Sequence, residues 1–237
     1  QKQIAKNAEE LANQKSREIE EIASQLSKYL SPQLYNSIFS GEKKVSIDSE
    51  KKFLTVFFSD IISFTEISDK MDSAPLTEML NLYLTKMSEI ALSFGGTIDK
   101  YIGDSIMIFF GDPETKGKNK DAINCVQMAI EMQNTMKILS KVFMKDFNLP
   151  YPLNMRIGIN SGECTVGNFG SEKRLDYTVI GGAVNLASRL ESNSPAGKIL
   201  ISDVTKKLIK GDINCQKYDQ IRAKGINEPI NTFIPYF

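Results

Sequence analysis

The chain has 237 residues, which is enough for one α/β domain with an appendage. Its 29 basic and 29 acidic residues balance, so charge does not favour nucleic acid or an anionic membrane as the main partner. The three scattered cysteines indicate neither a zinc site nor a disulfide framework. The chain has no histidine, which excludes both catalysis and zinc ligation by that residue.

The first 30 residues predict an amphipathic helix. Two interpretations are open: a helix that packs on its own domain, or a short parallel coiled coil that links two domains to an upstream sensor. The narrow apolar stripe favours the coiled coil, and a second short helix is predicted over 32–39 because Pro32 suits a first helical turn. We therefore divide the chain into a helical linker over 1–40 and a globular domain over 41–237. The stripe consists of Ile4, Leu11, Ile19, Ile22, Leu26 and Leu30.

Strands and helices alternate after a polar connector over 41–52. The β-α-β-β-α-β order predicts an α/β fold, an α+β sandwich with a ferredoxin-like core and extra C-terminal strands. Strands are expected over 53–59, 97–101, 105–110, 153–160, 163–168, 175–179, 198–201, 215–223 and 232–236. Helices are expected over 74–94, 119–145, 183–191 and 204–209.

Two aspartates lie at turns. Asp60 directly follows the first apolar strand, and Asp104 lies in the turn of the hairpin. If these strands pair, the carboxylates converge, and two neighbouring anions require a cation between them. Mg²⁺ or Mn²⁺ binds carboxylate and phosphate oxygen together, and two such ions can clamp an in-line phosphoryl displacement. Taken singly, Asp60 is also explained as a helix N-cap and Asp104 as a turn residue, and polymerase-type palms share the paired arrangement.

Five stretches resemble, in order, the signatures of class III adenylate and guanylate cyclases. The resemblance covers the chain from about Leu30 to its end. The stretches are FSDIISFT (58–65), DKYIGD (99–104), LNMRIGINSG (153–162), DYTVIGGAVNLASR (176–189) and RAKG (222–225).

This resemblance implies an enzyme that converts ATP to 3′,5′-cyclic AMP and pyrophosphate, with two Mg²⁺ or Mn²⁺ ions per site. Asp60 and Asp104 would bind the ions together with the backbone carbonyl of Ile61. Asn185 would contact the ribose, and the Arg189 guanidinium would stabilise charge on the α-phosphate. The alternative for the last two is a polar pair on the surface of a helix, because residues four apart share one face.

Phosphate binding is expected from three further residues. Lys224 resembles the lysine that binds the triphosphate, and Arg156 resembles a family arginine that also reaches phosphate. A salt bridge at the end of a strand is the alternative for Arg156. Thr65 and the free N–H groups of the segment after Asp60 would hold a phosphate as well.

Lys100 and Thr178 occupy the family's base-contacting positions. The lysine would donate to adenine N1, and the threonine hydroxyl would accept from the 6-amino group. Guanylate cyclases carry Glu at the first position, so Lys100 favours ATP, and the Lys–Thr pair resembles a subgroup that includes bicarbonate-responsive soluble cyclases. An exposed lysine at a strand edge is the alternative.

The resemblance also implies a homodimer whose two sites each draw on both chains. The expected compartment is the cytoplasm, whether or not a full-length parent carries a membrane anchor. One protomer would supply Asp60, Asp104 and Arg156. Its partner would supply Lys100, Thr178, Asn185, Arg189 and Lys224.

Three other functions compete with this one. Lys100 argues against a guanylate cyclase, and the residues after Gly95-Gly96 do not match a diguanylate cyclase. A non-catalytic module is disfavoured because such domains usually lose a metal aspartate or the Asn–Arg pair.

Two departures from the family pattern are Ser63, where Gly is common, and Gly182, where Asp is common. We expect a modest loop adjustment from the first and a weaker helix N-cap from the second.

Overall fold

A computed structural model describes residues 2–30, 35, 48–171, 173–222 and 229–236. Most of the predicted helix over 32–39 lies outside these residues, as does Lys224. The chain divides into two compact units, Gln1–Val45 and Ser46–Phe237. Among the described residues, no helix combines the length and the apolarity that a membrane span requires.

The first unit contains the predicted N-terminal helix, α1 (Lys2–Leu26), followed by a 3₁₀ turn (Ser27–Tyr29). Polar residues four apart stabilise its surface, as in the hydrogen bond from Gln14 to Glu18. Three residues of its apolar stripe are more than half exposed: the exposed fractions of Leu11, Ile19 and Ile22 are 54%, 65% and 58%.

The second unit is a sheet flanked by helices. Its described strands are β1 (Ser49–Ile61), β2 (Thr97–Ile102), β3 (Ser105–Phe110), β4 (Met155–Ser171), β5 (Arg174–Ile180), β6 (Ile199–Ser202), β7 (Asn214–Ile221) and β8 (Ile230–Tyr236). Its described helices are α2 (Phe64–Ser68), α3 (Ser73–Ser93), α4 (Lys118–Asp146), α5 (Gly182–Asn193) and α6 (Asp203–Leu208).

The sheet order is β2-β3-β1-β4-β6-β8-β7, with β5 paired to β4. Its first four strands run antiparallel, with α3 and α4 as the crossover connections, so the predicted ferredoxin-like βαββαβ core is confirmed. The C-terminal strands extend the sheet from β4, as predicted. This order places the end of β1 beside both the β2–β3 turn and the start of β4.

Each face of the sheet is buried by a different layer. On α3, Met79, Tyr83, Met87 and Ala91 recur every four residues and are buried, so one side of the helix packs on the core. Successive side chains of a strand point to opposite faces, and β1 accordingly serves two clusters. Phe57 packs in the cluster with α3 and α4, whereas Leu54 and Val56 pack with β5 and α5.

Two strands differ from the sequence-based expectation by more than two residues. β1 begins at Ser49, inside the predicted connector, because it pairs with a long partner: Ser49 lies opposite Gly167. That partner, β4, is one 17-residue strand, where two strands were expected. Gly162 in its middle is no turn; a Cβ there would lie 2.9 Å from the Cβ of Ala183, so glycine permits the close approach of α5.

Candidate active site

The carboxylates of Asp60 and Asp104 come together at one end of the sheet. β1 ends just after Asp60, and its pairing with β3 brings the β2–β3 turn alongside. Asp104 Oδ2 accepts a hydrogen bond from the Ile61 N–H at 2.8 Å. Asp60 Oδ1 accepts one from Ser105 Oγ at 2.9 Å. Ser105 was not predicted as a site residue; its place directly after Asp104 is the only sequence signal.

Burial disfavours the negative charge of Asp104. It raises the pKa of Asp104 to about 6; the Ile61 N–H opposes the rise, and the nearby charge of Asp60 adds to it. A hard divalent cation would relieve this repulsion, and all the available donors are oxygens, so the residues fit Mg²⁺ or Mn²⁺. Among the described residues, no group of three or more acidic or thiol side chains is arranged to hold a metal ion. Phosphate oxygens or water would therefore have to complete the coordination of an ion here.

Arg156 lies at the start of β4, directly opposite Asp60 in the strand register. Its Nη2 atom is 2.8 Å from Asp60 Oδ2, and its Nε atom is 2.6 Å from Glu191 Oε1 on α5. Burial raises the pKa of Glu191, while the Arg156 charge lowers it. The strand-end salt bridge weighed for Arg156 is thus present, and its role toward phosphate stays a prediction. Glu191 was missed because a lone helical glutamate carries no sequence signal.

Lys100 and Thr178 meet at a third residue, Asp99. Thr178 Oγ1 donates a 2.6 Å hydrogen bond to Asp99 Oδ2, and Lys100 Nζ lies 3.7 Å from Asp99 Oδ1. The two predicted base-contacting residues are therefore brought together, although they are 78 positions apart on β2 and β5. Asp99 was not predicted as a site residue.

Helix α5 presents Asn185 and Arg189 away from its buried side. Val184, Ala187 and Leu190 are buried beneath the helix, whereas Asn185 is exposed and Arg189 is half-buried. The helix lies so close to β4 that a Cβ on Gly158 would be 2.0 Å from the backbone nitrogen of Glu191. The pair therefore stands on a helix whose position is fixed by packing.

The two departures from the family pattern have visible consequences. Ser63 adopts φ 59° and ψ 23°, the left-handed region that favours glycine, so the loop keeps a glycine-type conformation at some cost in strain. The N-cap of α5 is Gly181, which makes no side-chain cap bond, and Gly182 is the first helical residue. Thr65 lies exposed on α2, the short helix that follows Ser63.

The chain matches the family model described as "Adenylate and Guanylate cyclase catalytic domain" over residues 48–235. It is 33% identical over 222 residues to the terminal-differentiation-specific adenylate cyclase of Dictyostelium discoideum, covering 91% of this chain. It is 38% identical over 138 residues to an adenylate cyclase of Anabaena cylindrica, covering 58% of this chain. The chain spans only 10% and 26% of the lengths of these two relatives.

Solved structures of cyclases share the fold. The adenylyl cyclase CyaB of P. aeruginosa is 51% identical with a TM-score of 0.78, over 81% of this chain and 97% of that one. The guanylyl cyclase Cya2 is 33% identical with a TM-score of 0.75, over 80% and 94%. Both nucleotide specificities thus occur among proteins that resemble this chain.

Proposed function

The chain belongs to the adenylate and guanylate cyclase catalytic-domain family, and we propose that it is an adenylate cyclase that converts ATP to 3′,5′-cyclic AMP and pyrophosphate. The observation that carries the choice of ATP is the meeting of Lys100 and Thr178 at Asp99. An ammonium donor beside a hydroxyl acceptor complements N1 and the 6-amino group of adenine. The 51% identity to an adenylyl cyclase supports the same choice.

Asp60 and Asp104, with the backbone carbonyl of Ile61, would hold two Mg²⁺ or Mn²⁺ ions. Bound there, the ions would lower the pKa of the ribose 3′-hydroxyl and neutralise the triphosphate. Hydrogen bonds would help to orient these carboxylates, since Ser105 Oγ donates to Asp60 and the Ile61 N–H donates to Asp104. Such preorganisation removes reorganisation cost from the reaction.

Cationic and polar side chains would bind the rest of the nucleotide. Asn185 is assigned to the ribose, and Arg189 to the charge that develops on the α-phosphorus oxygens as the 3′-oxygen attacks. Lys224 and Arg156 are assigned to phosphate, as is Thr65. The Arg156 assignment requires the guanidinium to bind phosphate beside, or in exchange for, its present carboxylate partners.

A homodimer would complete each site. Asn185 is exposed on α5 and would face the Asp60 and Asp104 carboxylates of a second copy, so that each chain contributes to both sites. An isologous dimer then holds two equivalent sites across a two-fold axis. Helix α1, with its exposed apolar stripe, would connect this dimer to an upstream sensor domain.

Turnover with each nucleotide tests the proposal. We expect the purified protein to form cyclic AMP from ATP with Mn²⁺ or Mg²⁺, with kcat/KM at least about tenfold above that for GTP. Asp104→Asn keeps the acceptor for the Ile61 N–H yet removes a ligand charge, so kcat should fall at least about 100-fold with unfolding unchanged. Preference for GTP would identify a guanylate cyclase. Absence of product from either nucleotide would identify a non-catalytic module.

A further inference from the structure

Asp99 is buried between the two side chains proposed to read the base. Its side chain is 1% exposed, whereas that of the neighbouring Lys100 is 42% exposed. One carboxylate oxygen accepts from Thr178 Oγ1 at 2.6 Å, and the other lies 3.7 Å from Lys100 Nζ. The backbone N–H of Val179 donates to the same carboxylate. Asp99 therefore links β2 to β5, two strands that do not pair with each other.

A β-bulge directs this carboxylate. Ile98 lies opposite Ile108 and Lys100 opposite Met107, so Asp99 is the extra residue on β2. In a regular strand, neighbouring side chains point to opposite faces of the sheet. A bulge re-aims the side chain, and here it allows the charged groups of Asp99 and Lys100 to approach each other.

We infer that Asp99 is a positioning residue that sets base specificity by fixing the hydrogen-bond polarity of Thr178 and the place of the Lys100 ammonium. The inference rests on the proposed function, since it explains how that site would select adenine. It adds a third residue, which contacts no part of the base itself.

The polarity follows from the donor and acceptor capacities of the groups. An ionised carboxylate only accepts, so the single proton of the Thr178 hydroxyl is committed to Asp99. The hydroxyl then offers only lone pairs to a ligand. The 6-amino group of adenine donates and is matched, whereas O6 of guanine accepts and is not. Lys100 likewise matches the acceptor N1 of adenine and opposes the N1–H donor of guanine.

These contacts stabilise the charged form of the Asp99 carboxylate, which its burial destabilises. Burial raises the pKa of Asp99, while Thr178, Lys100 and the Val179 N–H lower it by favouring the charged form. A neutral amide in the Asp99→Asn variant would behave differently. The Lys100 ammonium would attract the carbonyl oxygen of that amide, which turns the NH₂ group toward Thr178 and frees the hydroxyl proton for the ligand.

The test compares kcat/KM for ATP and GTP in the wild type and in Asp99→Asn. We expect the ATP/GTP ratio to fall at least about tenfold, because the Thr178 hydroxyl can then donate to O6. Asp121→Asn is the matched control: Asp121 is also buried and also accepts from a threonine, Thr115, at 2.5 Å. That control should leave the ratio unchanged whatever it does to stability.

A second measurement separates polarity from packing. Purine riboside triphosphate lacks the 6-amino group, so its kcat/KM with the wild type should be far below that of ATP. In Asp99→Asn the difference between these two kcat/KM values should be smaller. Thr178→Val preserves side-chain shape and should lower the ATP/GTP ratio by itself, with little further change in the double variant. If Asp99→Asn does not fold, the wild-type comparison still tests the inference, because equal kcat/KM values for ATP and purine riboside triphosphate would mean that Thr178 does not accept from the 6-amino group and would overturn it.

The outcomes are distinguishable from failure of the proposed function. If the wild type prefers ATP and folded Asp99→Asn keeps that preference, the inference is overturned while the adenylate cyclase assignment stands. If the wild type forms no product, the assignment fails, and the same ratio is read from the dissociation constants of the two nucleotides by calorimetry. Equal ATP/GTP ratios for the wild type and Asp99→Asn in that measurement would also overturn the role of Asp99.

Discussion

Asp60 and Arg156 face each other across β1 and β4, with the guanidinium Nη2 atom 2.8 Å from the carboxylate Oδ2 atom. The same guanidinium reaches Glu191 Oε1 at 2.6 Å. Arg156 is therefore held between a proposed metal ligand and a carboxylate of the helix that carries Asn185 and Arg189. Within one chain, this contact connects the residues proposed for one active site of the dimer with those proposed for the other.

Removing Arg156 should leave the side chain of Glu191, which is only 10% exposed, without its counter-charge. We expect Arg156→Met to lower the free energy of unfolding by about 1–2 kcal/mol, less than for a fully buried pair because Arg156 is 32% exposed. In Arg156→Met/Glu191→Gln part of this loss should return. Urea unfolding at one fixed protein concentration measures these two variants and Glu191→Gln alone; strictly additive losses would show that the pair is not coupled.

Gly158 should be intolerant of any side chain. Its Cβ would lie 2.0 Å from the backbone nitrogen of Glu191 and 2.4 Å from the Ala187 carbonyl, neither of which can move without moving α5. Gly158→Ala should destabilise the fold by about 3 kcal/mol. Gly182→Ala, where a Cβ meets nothing within 4 Å, should be neutral or stabilising by up to about 1 kcal/mol. Similar melting temperatures for the two variants would contradict the proposed packing of α5.

Ser63 should be improved by glycine. Its left-handed backbone, with φ 59°, disfavours any side chain, so Ser63→Gly should raise the free energy of unfolding by about 0.5–1 kcal/mol. Ser63→Ala keeps the Cβ and serves as the control, with no gain expected. Thermal unfolding monitored by circular dichroism distinguishes the two; a gain in the alanine variant alone would mean that the hydroxyl, and not the backbone, is responsible.

The parts of the fold that were predictable are those with local signals. The apolar run of β1 and the four-residue spacing on α3 predicted their elements, and the turns at Asp60 and Asp104 predicted their convergence. The continuity of β4 was not predictable, because Ser161-Gly162 reads as a break. Its glycine serves instead to admit α5, which is a tertiary contact without a local pattern.

The candidate site was likewise predictable only where a residue belongs to a recognisable local motif. Lys100 and Thr178 were identified from separate motifs, but Asp99 between them was not, because the bulge that aims it depends on the register between β2 and β3. Arg156 was identified, whereas its partner Glu191 was not, because their pairing depends on where α5 lies against β4. Pairings over long sequence separation require the structure.

The exposed stripe of α1 should mediate association between chains. Ile19 and Ile22 are more than half exposed, and burying them in a parallel helix pair would remove apolar surface from water. Ile19→Asp/Ile22→Asp should weaken dimerisation in sedimentation equilibrium. Asn13→Asp/Ser24→Asp adds the same charge on the opposite side of the helix and should change it little. Equal dissociation constants for both variants would show that α1 is not part of the dimer contact.

Complementation between two inactive variants tests most directly the claim that two chains share an active site. Asp104→Asn and Asn185→Ala should each be nearly inactive alone. Random mixing makes about half of the dimers mixed, and each mixed dimer has one site with both lesions and one with neither, so roughly a quarter of wild-type activity should return. Subunit exchange is verified by energy transfer between labelled chains. Exchange without any recovered cyclase activity would contradict the account.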